Sequence, residues 1–167
     1  MDQKRFSCGI FIDLWKAFDT VNHSILTEKL QHYGIRGIVN ELFSSVIWRV
    51  VPRQLRLALK YRTVSSSGVP QRAVLGTLLF QLHVKDIQNC SDELKFYLFS
   101  DDITLLDADR NLKSLETVVN CELLSVYKSL ITNKLSLNTQ KCNYIIFHPY
   151  QKKTQPPSKS KTFRPLF

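Results

Sequence analysis

Three aspartates stand beside runs of apolar, strand-forming residues, and this placement is the first chemical feature of the sequence. Asp13 lies near the end of the run FSCGIFIDL, and the adjacent Asp101 and Asp102 lie between LKFYLF and ITLL. Placing carboxylates among apolar residues costs free energy unless a positive charge meets them. Carboxylates brought together from separate strands form a cluster of hard oxygen ligands. Such a cluster suits Mg²⁺, which usually binds through a few carboxylates and the phosphates of a substrate.

The same aspartates also have ordinary structural interpretations. Adjacent aspartates are common in hairpin turns, because Asp tolerates turn conformations and its side chain can bond the local backbone. Asp13 can equally cap a turn that leads into the following helix. The pattern of these residues alone leaves the metal-site and the turn interpretations open.

Two further segments carry groups that can contact a polar or anionic ligand. The stretch SSSGVPQRAVLGTLLF contains a Gly-Val-Pro-Gln turn that opens a helix. Free backbone N–H groups and the Gln71 side chain at such a turn can meet a ligand. The stretch LSLNTQKCNYIIFH places Lys141 just before a strand, where its charge can stabilise a developing anion. Taken singly, these features are also typical of an ordinary helix start and a solvated lysine.

The apolar periodicity predicts the elements that position these residues. Short apolar runs predict strands, and apolar residues at spacings of three and four predict helices. The predicted strands lie near 6–14, 94–99, 103–106 and 143–148, and residues 54–66 are predicted to form a half-buried strand or a hairpin. The predicted helices lie near 21–33, 37–50, 74–89 and 111–133. Because strands and helices do not alternate strictly, we predict an α+β fold in which helices back an antiparallel sheet.

Composition restricts the class of protein. A chain of 167 residues can bury one sizeable core, and its hydrophobic content of 44% excludes disorder of the whole chain. The formal net charge of +9 favours a polyanionic partner. The four cysteines form no C-x-x-C pair, and no apolar run approaches the ~20 residues that span a bilayer. We therefore expect an intracellular protein of the cytoplasm or nucleus, without a zinc site, a disulfide framework or a membrane partner.

Four motifs, taken in order, resemble the palm of reverse transcriptases. They are FIDLWKAFDTVNH, SSGVPQRAVLGTLLF, FYLFSDDITLL and NKLSLNTQKCNYIIF, and they are most similar to those of non-LTR, LINE- or jockey-like retrotransposons. The resemblance covers residues 6–148. It implies a partial reverse transcriptase domain over 1–148, with a palm-like sheet backed by helices but without complete fingers and thumb. A basic Pro/Lys-rich tail over 149–167, which we expect to be disordered, would follow it.

The resemblance also implies roles for individual residues. Asp13, Asp101 and Asp102 would be the catalytic residues and would bind two Mg²⁺ ions, with Mn²⁺ as an alternative. Leu14 would lend a backbone carbonyl to a metal, and Phe18 would exclude a 2′-hydroxyl. The residues implied to contact nucleotide or template are Leu14, Phe18, Gln71, Arg72 and Lys141. The implied partners are an RNA template, a DNA primer and dNTPs.

Departures from the family pattern leave two functions open. Arg72 stands where the family has a Gly, which lets the nucleotide or template approach the backbone closely. Trp15 stands where a small polar residue is common. The chain also begins just before the first motif, so a longer chain would have to supply the fingers and thumb. One function is an RNA-directed DNA polymerase domain, which truncation can leave inactive in isolation. The other is a non-catalytic nucleic-acid-binding remnant of a retroelement.

Overall fold

A computed structural model describes residues 5–41, 43, 67–69 and 74–148. Within them, strands and helices are mixed as the apolar pattern predicts. The strands are β1 (Phe6–Ile12), β2 (Lys95–Phe99), β3 (Asp102–Asp109) and β4 (Asn143–Phe147). The α-helices whose two ends are both described are α1 (Ala17–Thr20), α2 (His23–His32), α3 (Val74–Val84) and α4 (Leu112–Thr132). A 3₁₀ helix over Lys85–Cys90 directly follows α3.

The four strands form one antiparallel sheet in the order β2-β3-β1-β4. β1, the first of the described strands along the chain, is therefore internal to the sheet, with β3 on one side and β4 on the other. Its register pairs Ile12 with Ile103 on β3 and Phe11 with Asn143 on β4. The sheet is all antiparallel, as expected for an α+β fold, and the strands near 6–14, 94–99, 103–106 and 143–148 are confirmed.

One face of the sheet is buried against α4. Side chains alternate along a strand, and the even-numbered residues of β1 from Phe6 to Ile12 are buried on this face. The buried residues of α4 recur at three- and four-residue spacing and are Leu115, Val119, Leu123, Val126 and Leu130. Asn111 caps this helix through a hydrogen bond from the backbone N–H of Lys113 to its side-chain oxygen, 3.0 Å long. Truncating one such core leucine to Ala typically costs about 2–5 kcal/mol, so packing holds α4 firmly to the sheet.

The opposite face of the sheet is open within the described part of the chain. Phe11, Tyr97 and Phe99 are exposed on it, with Tyr97 55% and Phe99 79% accessible. On β4, Ile145 and Phe147 are exposed as well. Phe11 and Asp102 belong to this same face, because Phe11 pairs with Thr104 and side chains alternate along β3.

The short segment 67–69 is fastened onto the connection between α1 and α2. The backbone N–H of Gly68 donates to the carbonyl of Val21 (2.9 Å), and the N–H of Val69 donates to the carbonyl of Phe18 (2.8 Å). The buried His23 contacts the carbonyl of Gly68 through Nε2 at 2.7 Å. These bonds bring the start of the Gly-Val-Pro-Gln motif against the residues that follow Asp13.

Gly68 is required by its backbone conformation and by its surroundings. Its φ is +100°, and a Cβ added there would lie 3.3 Å from the backbone oxygen of Asp19. Gly68→Ala is therefore expected to lower the free energy of unfolding by about 1–3 kcal/mol, measured by denaturant titration. Gly34→Ala is the matched control, since Gly34 also has a positive φ (+85°) but has open space around it. Equal losses in the two variants would show that the contact with Asp19 contributes nothing.

Four predicted segments differ from, or extend beyond, what is described. The helix predicted over 74–89 is α-helical only to Val84 and becomes a 3₁₀ helix to Cys90. Of the helix predicted over 37–50, residues 38–41 and 43 are helical, and the rest lies outside the described residues. The strand or hairpin predicted at 54–66 and the tail at 149–167 lie outside them as well. None of the described helices is both long and apolar enough to cross a bilayer.

Candidate active site

Asp13 follows β1 directly and is fixed through its backbone. Its carbonyl accepts a hydrogen bond from the N–H of Asn138 (2.9 Å) and a weak one from the thiol of Cys142 (3.7 Å). The N–H of Trp15 donates to the carbonyl of Ser136 at 2.8 Å. A single bridge between Leu14 and Leu137 lies between these bonds. The segment 136–138 therefore holds the chain in place on both sides of Leu14, which is buried.

Asp101 and Asp102 occupy the turn that joins β2 to β3. Phe99 pairs with Asp102, so Ser100 and Asp101 form a two-residue hairpin loop. Ser100 has a φ of 56°, and a positive φ at the first loop position is characteristic of type II′ hairpin turns. Both aspartates are exposed. The turn interpretation and the metal interpretation of this pair are thus compatible, since the turn presents both carboxylates at the end of the sheet.

Asp13 and Asp102 lie at the same end of the sheet. The last pair of the β1–β3 ladder at this end is Ile12 with Ile103, so Asp13 directly follows the last paired residue of β1 and Asp102 directly precedes its partner on β3. Neighbouring strands lie about 4.8 Å apart. Asp101 is the adjacent turn residue. All three aspartates therefore belong to one end of the sheet.

Lys141 lies at the same end of the sheet, on the other side of β1. It closes a turn in which its N–H donates to the carbonyl of Asn138 at 2.9 Å, and β4 begins two residues later. Asn138 in turn donates to Asp13, so one residue links the turn of Lys141 to the aspartate. The Lys141 side chain is exposed.

Phe18 is half-buried, and its position is set by an aromatic contact. Its ring lies 5.1 Å from that of Phe80 on α3 at an interplanar angle of 42°. Its carbonyl accepts the hydrogen bond from Val69 described above. The segment that ends at Val69 leads directly towards Gln71 and Arg72, which lie outside the described residues.

The donor set at this end of the sheet fits a hard divalent cation, although it does not form a closed cage. Among residues 5–41, 43, 67–69 and 74–148, no three His, Cys, Asp or Glu side chains are grouped so that they could hold a metal ion. Mg²⁺ does not need such a cage, because it usually takes one or two carboxylates and completes its shell with water and substrate phosphates. The carboxylates of Asp13 and Asp102, at the ends of two neighbouring strands, are oxygen ligands of this kind.

Comparison with known proteins identifies the family. The sequence model of the family described as reverse transcriptase (RNA-dependent DNA polymerase) matches residues 1–164. The chain belongs to the reverse transcriptase family. As a family, reverse transcriptases act on nucleic acid templates and generally depend on a divalent metal.

Two individual proteins are similar to this chain, and each match covers only part of the other protein. A protein of Drosophila melanogaster named as a probable RNA-directed DNA polymerase from transposon BS is 31% identical over 112 residues, which are 63% of this chain and 12% of that protein. The structure of apo telomerase from Candida tropicalis, truncated from its C-terminal domain, matches with a TM-score of 0.56 and 14% identity. It covers 88% of this chain and 32% of that one. The second likeness concerns the fold, and the chain spans only a small part of either protein.

Sequence reasoning missed two residues that lie next to Asp13 in the candidate site. Asn138 is buried and holds Asp13 in place, but nothing in the pattern LSLNTQK distinguishes it from a loop residue. Lys16 adopts a left-handed conformation (φ 49°, ψ 46°) between Asp13 and α1, and its side chain is exposed. A positive charge three residues after Asp13 was a usable signal. Strained backbone at non-glycine residues is frequent at functional sites.

Behind the site, a cluster of polar side chains joins three helical elements of the domain. The ammonium of Lys29 on α2 donates to the carbonyl of His83, to a carboxylate oxygen of Asp86 and to the side-chain oxygen of Asn133. Burial lowers the pKa of Lys29, although the hydrogen bond to Asp86 opposes this effect. Burial, and then the charge of Lys29, lower the pKa of His83 to about 4. His83 is therefore neutral at pH 7, and its Nε2 donates to the carbonyl of Asn133 (3.2 Å).

The turn that carries the paired aspartates should resist β-branched substitution. Ser100→Val is expected to lower the free energy of unfolding by about 1–2 kcal/mol, because a β-branched side chain is strongly disfavoured at a positive φ. Ser100→Gly is the control, since Gly adopts this conformation without a steric cost. Denaturant unfolding of the two variants measures the difference, and equal stabilities would contradict the role of the Ser100 backbone.

Proposed function

We propose that this chain is the palm region of an RNA-directed DNA polymerase of a non-LTR, LINE- or jockey-like retrotransposon. It would add deoxynucleotides to a DNA primer on an RNA template. One observation carries the proposal: in a member of the reverse transcriptase family, Asp13 directly follows the Ile12–Ile103 pair, at the end of the sheet where Asp101 lies in the hairpin loop and Asp102 begins β3. The name of the Drosophila relative supports the origin in a transposon.

The three aspartates would hold two Mg²⁺ ions, or Mn²⁺ in their place. Such ions supply Lewis acidity, which lowers the pKa of the primer 3′-hydroxyl and neutralises the leaving pyrophosphate. The protein contributes the placement of its carboxylates. The carbonyl bond to Asn138 fixes Asp13, and the hairpin turn fixes Asp101 and Asp102. A backbone carbonyl of Leu14 is a further candidate ligand.

Residues around the carboxylates would orient the nucleotide. The contact of Phe18 with Phe80 holds an aromatic ring five residues after Asp13, where it would crowd a 2′-hydroxyl and so favour deoxynucleotides. The exposed ammonium of Lys141 would approach the triphosphate and stabilise the charge that develops on it. Gln71 and Arg72 would contact nucleotide or template from the segment that follows Val69.

The complete polymerase would include more chain than these 167 residues. The fingers and thumb would come from flanking segments, in keeping with the 12% of the Drosophila relative that is matched. An enzyme that copies RNA into DNA would act in the cytoplasm or the nucleus, where its template and primer are found.

A second function, a non-catalytic binder of nucleic acid, is favoured by two specific observations. The net charge is +9, and Arg72 replaces the family Gly at the position of closest approach to the backbone. Lys and Arg side chains bind phosphates without regard to sequence, and such binding weakens steeply with salt because counterions are released.

Primer extension separates the two functions. The chain is incubated with a DNA primer on an RNA template, dNTPs and Mg²⁺, and extension products are resolved on a gel. Incorporation that requires Mg²⁺, and that is lost in Asp101→Asn, would support the polymerase. Salt-dependent binding of the RNA–DNA hybrid without incorporation, in a chain that carries its flanking segments, would support the binder instead.

A further inference from the structure

We propose that Lys29 is a positioning residue for Asp13 and that it acts through Asn133 and the segment 136–138. The proposal rests on the proposed function in one respect, namely that Asp13 is a metal ligand. Lys29 lies on α2, outside the four motifs. The carboxylate that it contacts is that of Asp86, not one of the three aspartates of the candidate site. The inference depends on a continuous series of hydrogen bonds and covalent connections between the two residues.

The first step is the hold of Lys29 on Asn133. The Lys29 side chain is 14% accessible, and its three acceptors come from the end of α3, the 3₁₀ helix and the end of α4. An ammonium has three donors, so all of them are satisfied at this place. Removing the ammonium would leave the oxygens of Asn133 and His83 without their donor in a largely dry environment, which is costly.

The second step is that Asn133 terminates α4. Its backbone N–H and its side-chain amide both donate to the carbonyl of Ser129, and its own carbonyl receives the bond from His83. Lys29 and His83 therefore hold the same residue from two sides. Asn133 is buried, so these bonds are protected from water.

The third step leads from the helix end to the aspartate. Leu135 donates to the carbonyl of Leu130 and is buried, which fixes the chain immediately after Asn133. The next three residues are those that bond to the chain around Asp13: the carbonyl of Ser136 accepts from Trp15, and Asn138 donates to the carbonyl of Asp13. A shift of the helix end would thus move the residues that hold Asp13.

The test compares Lys29→Met with Lys85→Met. Methionine keeps the apolar stem of lysine and removes its charge. Lys85 is the control because it is exposed, lies next to Asp86 and has its ammonium 5.2 Å from the centroid of the Tyr33 ring. Two measurements are made on each variant. Hydrogen exchange of the Trp15 and Asn138 amides reports on the stability of the backbone hydrogen bonds around Asp13. Tb³⁺ luminescence sensitised by Trp15 reports on cation binding.

In Lys29→Met, we expect the amides of Trp15 and Asn138 to exchange about tenfold to a hundredfold faster than in the parent, beyond any change at Leu123 in the centre of α4. A purely structural role would change all three amides by the same factor, as global unfolding does, and would overturn the proposal. Lys85→Met should exchange like the parent. Should Lys29→Met fail to fold, Asn133→Ala interrupts the same series at its middle and leaves Lys29 two of its acceptors.

The Tb³⁺ measurement separates this inference from the proposed function. In the parent, Mg²⁺ should displace Tb³⁺, and the signal should vanish in Trp15→Phe. Lys29→Met should bind Tb³⁺ about tenfold more weakly than Lys85→Met. A parent without a Mg²⁺-displaceable signal would refute the metal role of Asp13, whereas the exchange rates would still decide whether Lys29 holds that residue. Unchanged Tb³⁺ affinity in Lys29→Met, in a parent that binds, would overturn the positioning role.

Discussion

Replacing Asp13 with Asn is expected to reduce Mg²⁺-dependent primer extension by about a thousandfold or more. The amide keeps the size of the side chain but removes the charge that attracts a divalent ion, and such an ion is worth several kcal/mol of transition-state stabilisation. Primer extension with limiting enzyme measures the loss, on the chain together with whatever flanking segments its activity requires. The backbone bond from Asn138 to residue 13 does not involve the side chain and should persist.

Asp92→Asn is the matched control for this loss. Asp92 is exposed and precedes β2, at the end of the sheet opposite the aspartate turn, so it removes the same charge from a remote place. Without Mg²⁺, binding of an RNA–DNA hybrid should be unchanged or stronger in Asp13→Asn, because a carboxylate that repels phosphate is gone. Full extension activity in Asp13→Asn, at equal stability, would remove Asp13 from the catalytic site.

The free energy of unfolding is expected to fall by about 3 kcal/mol through the titration of His83 as the pH decreases from 6.5 to 4. The pKa of His83 is lowered from 6.5 to about 4, chiefly by burial. Between these values the unfolded chain binds a proton that the folded chain does not. The contribution of the neutral His83 is therefore complete above pH 6.5 and is lost as the pH falls towards 4.

Paired variants can separate the contribution of His83 to the pH dependence of unfolding from that of the other groups that titrate in acid. His83→Gln retains an amide that can donate to the carbonyl of Asn133 but does not titrate, so its unfolding free energy should depend less on pH in this window. His32→Gln is the control, because His32 is exposed near the end of α2 and contacts only the carbonyl of Glu28 among the bonds described. Chemical denaturation at a series of pH values measures each slope. Parallel pH profiles for His83→Gln and the parent would contradict the burial argument.

The local sequence pattern was sufficient to predict most of the described sheet and the longest described helix. The prediction of a helix near 111–133 agrees closely with Leu112–Thr132, because apolar residues recur at helical spacing throughout and Asn111 supplies a cap. The hairpin around Asp101 follows from two apolar strands separated by residues that tolerate turns. The boundary at Val84 was not predictable in this way, since the sequence continues without a Gly or Pro where the α-helix becomes 3₁₀.

The supports of the site are the part that sequence pattern could not reveal. Lys29 and Asn133 are separated by 104 residues along the chain, and neither has a local signature of pairing. The bond from Asn138 to Asp13 likewise depends on how the segment after α4 returns to β1. Motifs indicate which side chains are candidates for the chemistry. The residues that position them are brought together by tertiary packing, so they can be identified only from the three-dimensional structure.

The internal position of β1 has a consequence for the order in which the molecule can fold during synthesis. β1 is made first, yet its partners are β3, roughly a hundred residues later, and β4, later still. The hairpin of β2 and β3 and the helix α4 involve contacts close in sequence and can form without it. We therefore expect β1 to pair with β3 only after β3 has emerged from the ribosome, and the described sheet to be complete only when β4 follows. Asp101 and Asp102 would then be in place at the hairpin before β1, which precedes Asp13, joins the sheet.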